Sequence, residues 1–379
     1  MNASGGQELA ISAVGMVTSL GLDAFTSCAE ARAGVVRSAF LRTINAAAED
    51  LFGGEPVLGH ALPCSIGEGF VGVAKATVLG EFALRDLISR RQLSPAELAR
   101  TGCYFVLSDY LLADAYERSR LEEGEEPDEW TASALWKREC TGIAGRVLGR
   151  FRQAIPPANQ KLVFAGHTGV AIALINAAND IRTGRIDRCL IGAVDSCVEP
   201  RALRTAAWMN MLKIAPMPFG YIPGEAGAFL LLERAAEIPA TSGAPVRVCG
   251  ADVANEGQTR LEEKPPLGVG LSQALANCMR QAGDEVISAT RSIVSDLNGD
   301  PYRANEWGYC LVRLRSSGVL EPMTLMVPAS SFGETGCASG AVGICVAVRS
   351  LQRRYGSGRG ILVALSGDDG TKAAVSLYA

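Results

Sequence analysis

The sequence predicts an α/β protein made of two duplicated halves that sandwich a central layer of helices. Three observations lead there. Short apolar runs of strand length alternate with longer helical stretches. A unit of strand, tight turn and small-residue helix occurs twice. The helices of both units are rich in Ala, Gly and Val on nearly every face, and a helix apolar all round is buried rather than amphipathic.

The elements follow in chain order. Leu9 to Met16 is a β-rich run ending in a turn. Val71 to Leu93 carries apolar residues at three- and four-residue spacings without proline, which predicts a helix. Cys103 to Leu107 and Lys161 to Ala165 are short buried strands, Val170 to Thr183 a helix, and Arg188 to Ala193 the next strand. Such alternation means a mixed or mostly parallel sheet covered by helices.

The repeat is visible in the letters. KLVFAGHTG runs into VAIALINAANDIRTG, and TLMVPASSFGETGCASG runs into AVGICVAVRSLQRR. After each comes a strand with a polar loop, CLIGAVDS or ILVALSGDDG, and each half closes on a further strand, AGAFLLLERA or AAVSLYA. The Pro- and Gly-containing stretch Ile238 to Pro245 is the expected junction, dividing the chain into halves 1–240 and 241–379. The acidic stretch Leu121 to Trp130 reads as a solvated loop.

Composition narrows the function classes. The chain has 379 residues and a formal net charge of −4, so nothing global points to nucleic acid. No apolar run is long enough to span a bilayer, and Met1 to Glu8 lacks a signal pattern; a soluble cytoplasmic protein is expected. Eleven cysteines are scattered singly, as in Cys189 and Cys345, without CxxC spacing or clustering with histidines. They read as small core residues, not as a disulfide framework or metal site. No Gly-rich stretch matches a nucleotide-binding motif, and no cofactor is expected.

Several segments, in order, resemble the β-ketoacyl-acyl carrier protein synthases. ISAVGMVTSLGLDAFTSCAEARAG is similar to their first strand, turn and helix; AGHTGVAIALINAANDIRTGRIDRCLIGAVDS to the stretch with their nucleophilic cysteine; PGEAGAFLLLE to their Gly-Glu-Gly-Ala-Gly strand. SSFGETGCASGAVG resembles their Lys-Ser…Gly-His-Thr motif, and SGDDGTKA falls where they carry a Gly-rich Phe-Gly loop. The resemblance implies a thiolase-like five-layer αβαβα sandwich and a homodimer.

That chemistry needs a thioester-forming cysteine at a strand-to-helix turn, where the helix N-terminus favours thiolate and backbone N–H groups form an oxyanion hole. Two histidines stabilise the enolate. Aligned without a gap back from Ile181 and Gly184, His167 stands at the cysteine position; a one-residue slip would put Gly166 there. The histidine positions fall at Asn298 and Glu334, the lysine before the second at Ala329, and Asp368 and Asp369 replace the apolar loop residues. Imidazole is a poor acyl carrier, and a carboxylate opposes enolate formation; losing one oxyanion-type donor alone costs about 10²–10³ in rate.

His167, Asn298, Glu334 and Asp369 are expected to converge on one small polar cavity, with a charge-assisted pair between His167 and Glu334. His60 reads as a surface or turn residue, and Cys337 as a small core residue despite its place at the start of the second central helix. Asp300 and Glu306, on one loop with Trp307, suit a metal only weakly. The leading reading is a degenerate ketosynthase-like protein acting as an accessory or scaffold partner, of a type VI secretion effector or of an acyl carrier protein or synthase in a fatty-acid or polyketide pathway. The alternatives are an acyltransferase, hydrolase or decarboxylase using His167, Asn298 and Glu334, and acyl-chain binding without chemistry.

Overall fold

The computed structural model describes residues 8–41, 56–63, 66–67, 69–122, 132–215, 217–239, 244–262, 264–316, 318, 323–356 and 358–379. The N-terminal residues 1–7, most of the acidic stretch (123–130) and the middle of the expected junction (240–243) lie outside them.

Among the described residues ten strands form one sheet. In the first half they are β1 (Leu9–Val17), β2 (Thr101–Leu107), β3 (Gln160–Phe164), β4 (Arg188–Ser196) and β5 (Glu225–Arg234). In the second they are β6 (Val246–Asn255), β7 (Thr290–Ser295), β8 (Thr324–Met326), β9 (Gly360–Ser366) and β10 (Thr371–Tyr378). The spatial order is β8-β7-β9-β10-β6-β1-β5-β4-β2-β3.

Read outward from the middle, β1-β5-β4-β2-β3 and β6-β10-β9-β7-β8 are the same arrangement. β2 is parallel to β3 and β4, while β5 is antiparallel to β4 and β1. β7 is likewise parallel to β8 and β9, and β10 antiparallel to β9 and β6. The two five-strand units meet where β1 and β6 pair antiparallel through Ala10–Arg247 and Ile11–Val246.

Side-chain alternation along these strands builds the layers. Tyr104 and Val106 of β2 face an inner core, while Cys103, Phe105 and Leu107 face an outer one under α1 (Gly72–Arg90). In the second half Ile361, Val363 and Leu365 of β9 face the inner core. Leu362 and Ala364 face a third core with α3 (Val269–Ala282) and α4 (Pro301–Ser316). The inner core is filled by α2 (Gly169–Arg182) and α5 (Ser339–Arg353), the two helices rich in small apolar residues on nearly every face. The result is the α/β sandwich of five layers: α1, one half-sheet, α2 with α5, the other half-sheet, and α3 with α4.

α1 is shorter than the periodicity predicts. It ends at Arg90 because Arg91 turns extended. The Arg91 guanidinium pairs with Glu97 and, at 3.2 Å, with the fully buried Glu233 of β5, which holds the chain away from a further turn. Among the described residues no helix is long and apolar enough to cross a membrane.

Candidate functional site

The site lies where the N-termini of the two central helices meet. β3 ends at Phe164, and Ala165, Gly166, His167 and Thr168 lead into α2. The second half brings Gly333 to Ala338 into α5, through a 3₁₀ turn at Gly336–Ala338. The approach is close: a Cβ on Gly340 would stand 2.5 Å from the His167 carbonyl oxygen. Gly336, at φ +55°, would meet the Asp195 carboxylate at 2.1 Å. Both positions need glycine for steric reasons.

His167 is 5% exposed and both its ring nitrogens are engaged by carboxylates. Nδ1 is 2.9 Å from Asp296 Oδ2, and Nε2 is 2.8 Å from Glu334 Oε1. Burial and the Arg303 guanidinium press the imidazole toward neutrality, but the two carboxylates win and its pKa rises to about 9. At neutral pH His167 is therefore an imidazolium donating both N–H groups. The carboxylates also offset the unfavourable placing of a cation at a helix N-terminus.

Glu334 is fixed from several sides. Its backbone N–H donates to the Ile222 carbonyl at 2.8 Å, and its own carbonyl accepts from Gly224 N–H at 2.7 Å. Oε1 accepts from Gly336 N–H at 2.6 Å, and Oε2 accepts from the side-chain amide of Asn298. Burial pushes its pKa up; His167, Arg303 and Asn298 more than reverse this and bring it to about 2. His167, Asn298 and Glu334 are thus brought into one hydrogen-bonded set.

Asp296, Arg303 and Arg260 join that set, and the sequence reading missed all three. Asp296 directly follows β7; its Oδ2 accepts from Arg303 Nη1 at 3.2 Å and from Ser366 N–H at 2.7 Å. Arg303, on the first turn of α4, also donates to Asp368 at 3.1 Å. Arg260 donates to the same Asp368 oxygen, Oδ1, at 2.8 Å and pairs with Asp300. Burial would raise the Asp368 pKa, but the two guanidinium groups and His167 hold it well below the usual carboxylate range.

Two other expectations, for Asp369 and His60, are corrected. Asp369 does not converge on the site: its carboxylate accepts from Thr371 N–H at 2.9 Å and from Thr371 Oγ1 at 2.8 Å, closing a local turn, and its neighbour Asp368 points inward instead. His60 is buried, 1% exposed, because its backbone bridges to Pro223 and Glu225. Burial holds its pKa below the ordinary histidine value. Glu306 pairs with Lys372 at 2.8 Å and Asp300 with Arg260, so these carboxylates face cations. No cluster of three or more metal-ligating side chains occurs among the described residues. Cys337 is 1% exposed and its Sγ lies 3.3 Å from the Val194 carbonyl. Burial and Asp195 raise its thiol far above the ordinary value, opposite to what a thiolate nucleophile requires.

A cavity of about 130 Å³ opens against this cluster, with His167, Asn298, Glu334 and Asp195 at its polar end and Leu112, Met211 and Tyr221 on its apolar wall. It is well below the ~300–1,000 Å³ of small-molecule sites. Burial raises the Asp195 pKa to about 6, against two backbone N–H donors from Cys337 and Ser196.

No family model and no curated protein matches the chain. Solved structures do match. A type II polyketide synthase ketosynthase, solved in complex with its acyl-carrier protein and bound to the hexaketide, superposes with a TM-score of 0.78. It is 13% identical, with 99% of each chain covered. The ishigamide ketosynthase/chain length factor gives 0.77 at 15% identity, covering 98% of this chain and 99% of that one. A β-ketoacyl synthase from Burkholderia phymatum STM815 gives 0.69 at 15%, with 98% and 99% covered. At these identities the likeness establishes a thiolase-like ketosynthase fold.

Proposed function

We propose that this ketosynthase-like chain has lost condensing activity and serves as an accessory or scaffold partner. The observation that carries the reading is the doubly occupied imidazole at the N-terminus of α2. A nucleophile or general base needs a free lone pair. His167 has none at neutral pH, because both nitrogens carry protons shared with Asp296 and Glu334. The positions that the resemblance assigns to the cysteine and two histidines hold a cation, an amide and a carboxylate, with His167 and Asn298 both donating to Glu334. The same occupancy weighs against acyl-thioester processing by His167, Asn298 and Glu334. The small adjoining cavity supports the same conclusion, since it has no room for a long acyl chain.

In this role the chain associates with another copy of itself and with a protein partner, either a type VI secretion effector or an enzyme of a fatty-acid or polyketide pathway. The ishigamide ketosynthase/chain length factor shares its fold, which fits an accessory subunit. The test is incubation of the purified protein with acyl- and malonyl-thioesters while CO2 and free thiol are followed. Neither is released under the proposal. Release that disappears in His167→Ala overturns it in favour of an enzyme.

A further inference from the structure

A second cavity, away from the His167 cluster, has about 430 Å³ of space, within the range of small-molecule sites. It lies between the helix Ala24–Arg32, the C-terminal half of α5 and the edge strand β8. Cys28, Met326, Phe332 and Val346 give it apolar walls, and Arg32 and Arg349 reach it with no Asp or Glu among its lining residues.

The two arginines are unusual in what holds them. Neither is ion-paired among the described residues. The Arg349 guanidinium stacks on Phe25 at 3.5 Å and that of Arg32 on Tyr355 at 3.9 Å. Cation–π stacking uses the face of the group and leaves its N–H edges available. Arg349 is 7% exposed; Nη1 donates to Gln352 at 2.7 Å, but Nε is buried without a partner. Nearby Arg90 is already neutralised by Asp86 and Asp23. Burial and the proximity of Arg353 and Arg90 hold Arg349 below the ordinary arginine value. A buried cation with an unused donor is costly unless something anionic satisfies it.

We propose that this cavity binds an amphipathic anion: an apolar chain lying along Cys28, Met326 and Val346, with a carboxylate or phosphate-monoester head on Arg349 and Arg32. The site is separate from the His167 cluster. Pro328 and Phe332 stand between the two, and the gap behind them, which reaches Asp296, holds only about 10 Å³. A ligand here is bound, not processed, and the proposal stands whether or not the protein catalyses a reaction elsewhere.

Titration calorimetry on the full chain with decanoate, decyl phosphate and decanol tests it. Decanoate or decyl phosphate binds saturably and decanol does not; the tighter of the two anions identifies the head group. Arg349→Gln weakens anion binding at least tenfold and Arg32→Gln several-fold. The Arg349→Gln thermal midpoint is equal to or above that of the parent protein, because an unpaired buried charge has been removed. Arg32 is exposed, so its variant reports on binding without risk to the core. Equal binding of decanol, binding unchanged in both variants, or no saturable binding of either anion overturns the assignment.

Discussion

The protonation state of His167 makes the sharpest prediction. The perturbation is pH, with His167→Gln as the reference. The imidazole pKa stands at about 9 in the folded chain against 6.5 for a free histidine. The folded value is the higher one, so the stability it confers is full below about pH 6.5 and is lost as pH rises through about 9. The displacement corresponds to about 3 kcal/mol, similar to the ~3–5 kcal/mol cost of breaking a buried ion pair. Glu334, depressed to about 2, belongs to the same pair and does not add independently. Urea unfolding should therefore separate the parent protein from His167→Gln by roughly 3 kcal/mol at pH 6.5, with the gap closing toward pH 9. The protein has only two histidines, so ¹⁵N-histidine NMR reads the titration directly. One imidazole, His167, should stay charged through pH 8, while buried His60 is neutral at pH 7. An imidazolium signal absent at pH 7, or a stability gap that does not change with pH, would refute the reasoning and restore a free base to the site.

Two further outcomes follow from the packing around this site. Gly340→Ala drives a methyl group against the His167 carbonyl, a backbone atom that cannot swing away; a loss of about 1–3 kcal/mol in the free energy of urea unfolding is expected, and an unchanged value would show that the two central helices are not in contact. Lys372→Met removes the cation facing Glu306, both members being at most 1% exposed, so the unfolding free energy should fall by about 3–5 kcal/mol at pH 7 and recover in part with Glu306→Gln added, which a double-mutant cycle measures.

Some of what the sequence reading missed left a local trace. Trp307, Cys310 and Leu314 form the buried stripe of α4, and Arg303 lies one turn earlier on the same face. A guanidinium on a core-facing stripe signals a buried charge, and a buried charge demands partners. The strand ends carry another trace: Ser108–Asp109 follows β2 as Ser295–Asp296 closes and follows β7, at matching places in the two halves. Such a repeat marks Asp296 as a strand-end residue near the helix N-termini. Nothing local marked Arg260, which sits in an irregular loop.

The alternating strands, the duplication and the two helices of mostly small apolar residues were determined by the sequence alone, because each shows in a residue's relation to its own neighbours at period 2 or 3.6. The singular position of His167 at a strand-to-helix turn was legible for the same reason. Which charges meet there was decided only by the tertiary structure. Asp296 with Arg303, Glu334 and Asp368 come from three separate segments, and their pairing depends on how two half-sheets close over one pair of helices. The protonation of His167 follows from that closure, since desolvation and carboxylates act through space and leave no periodic trace in the chain.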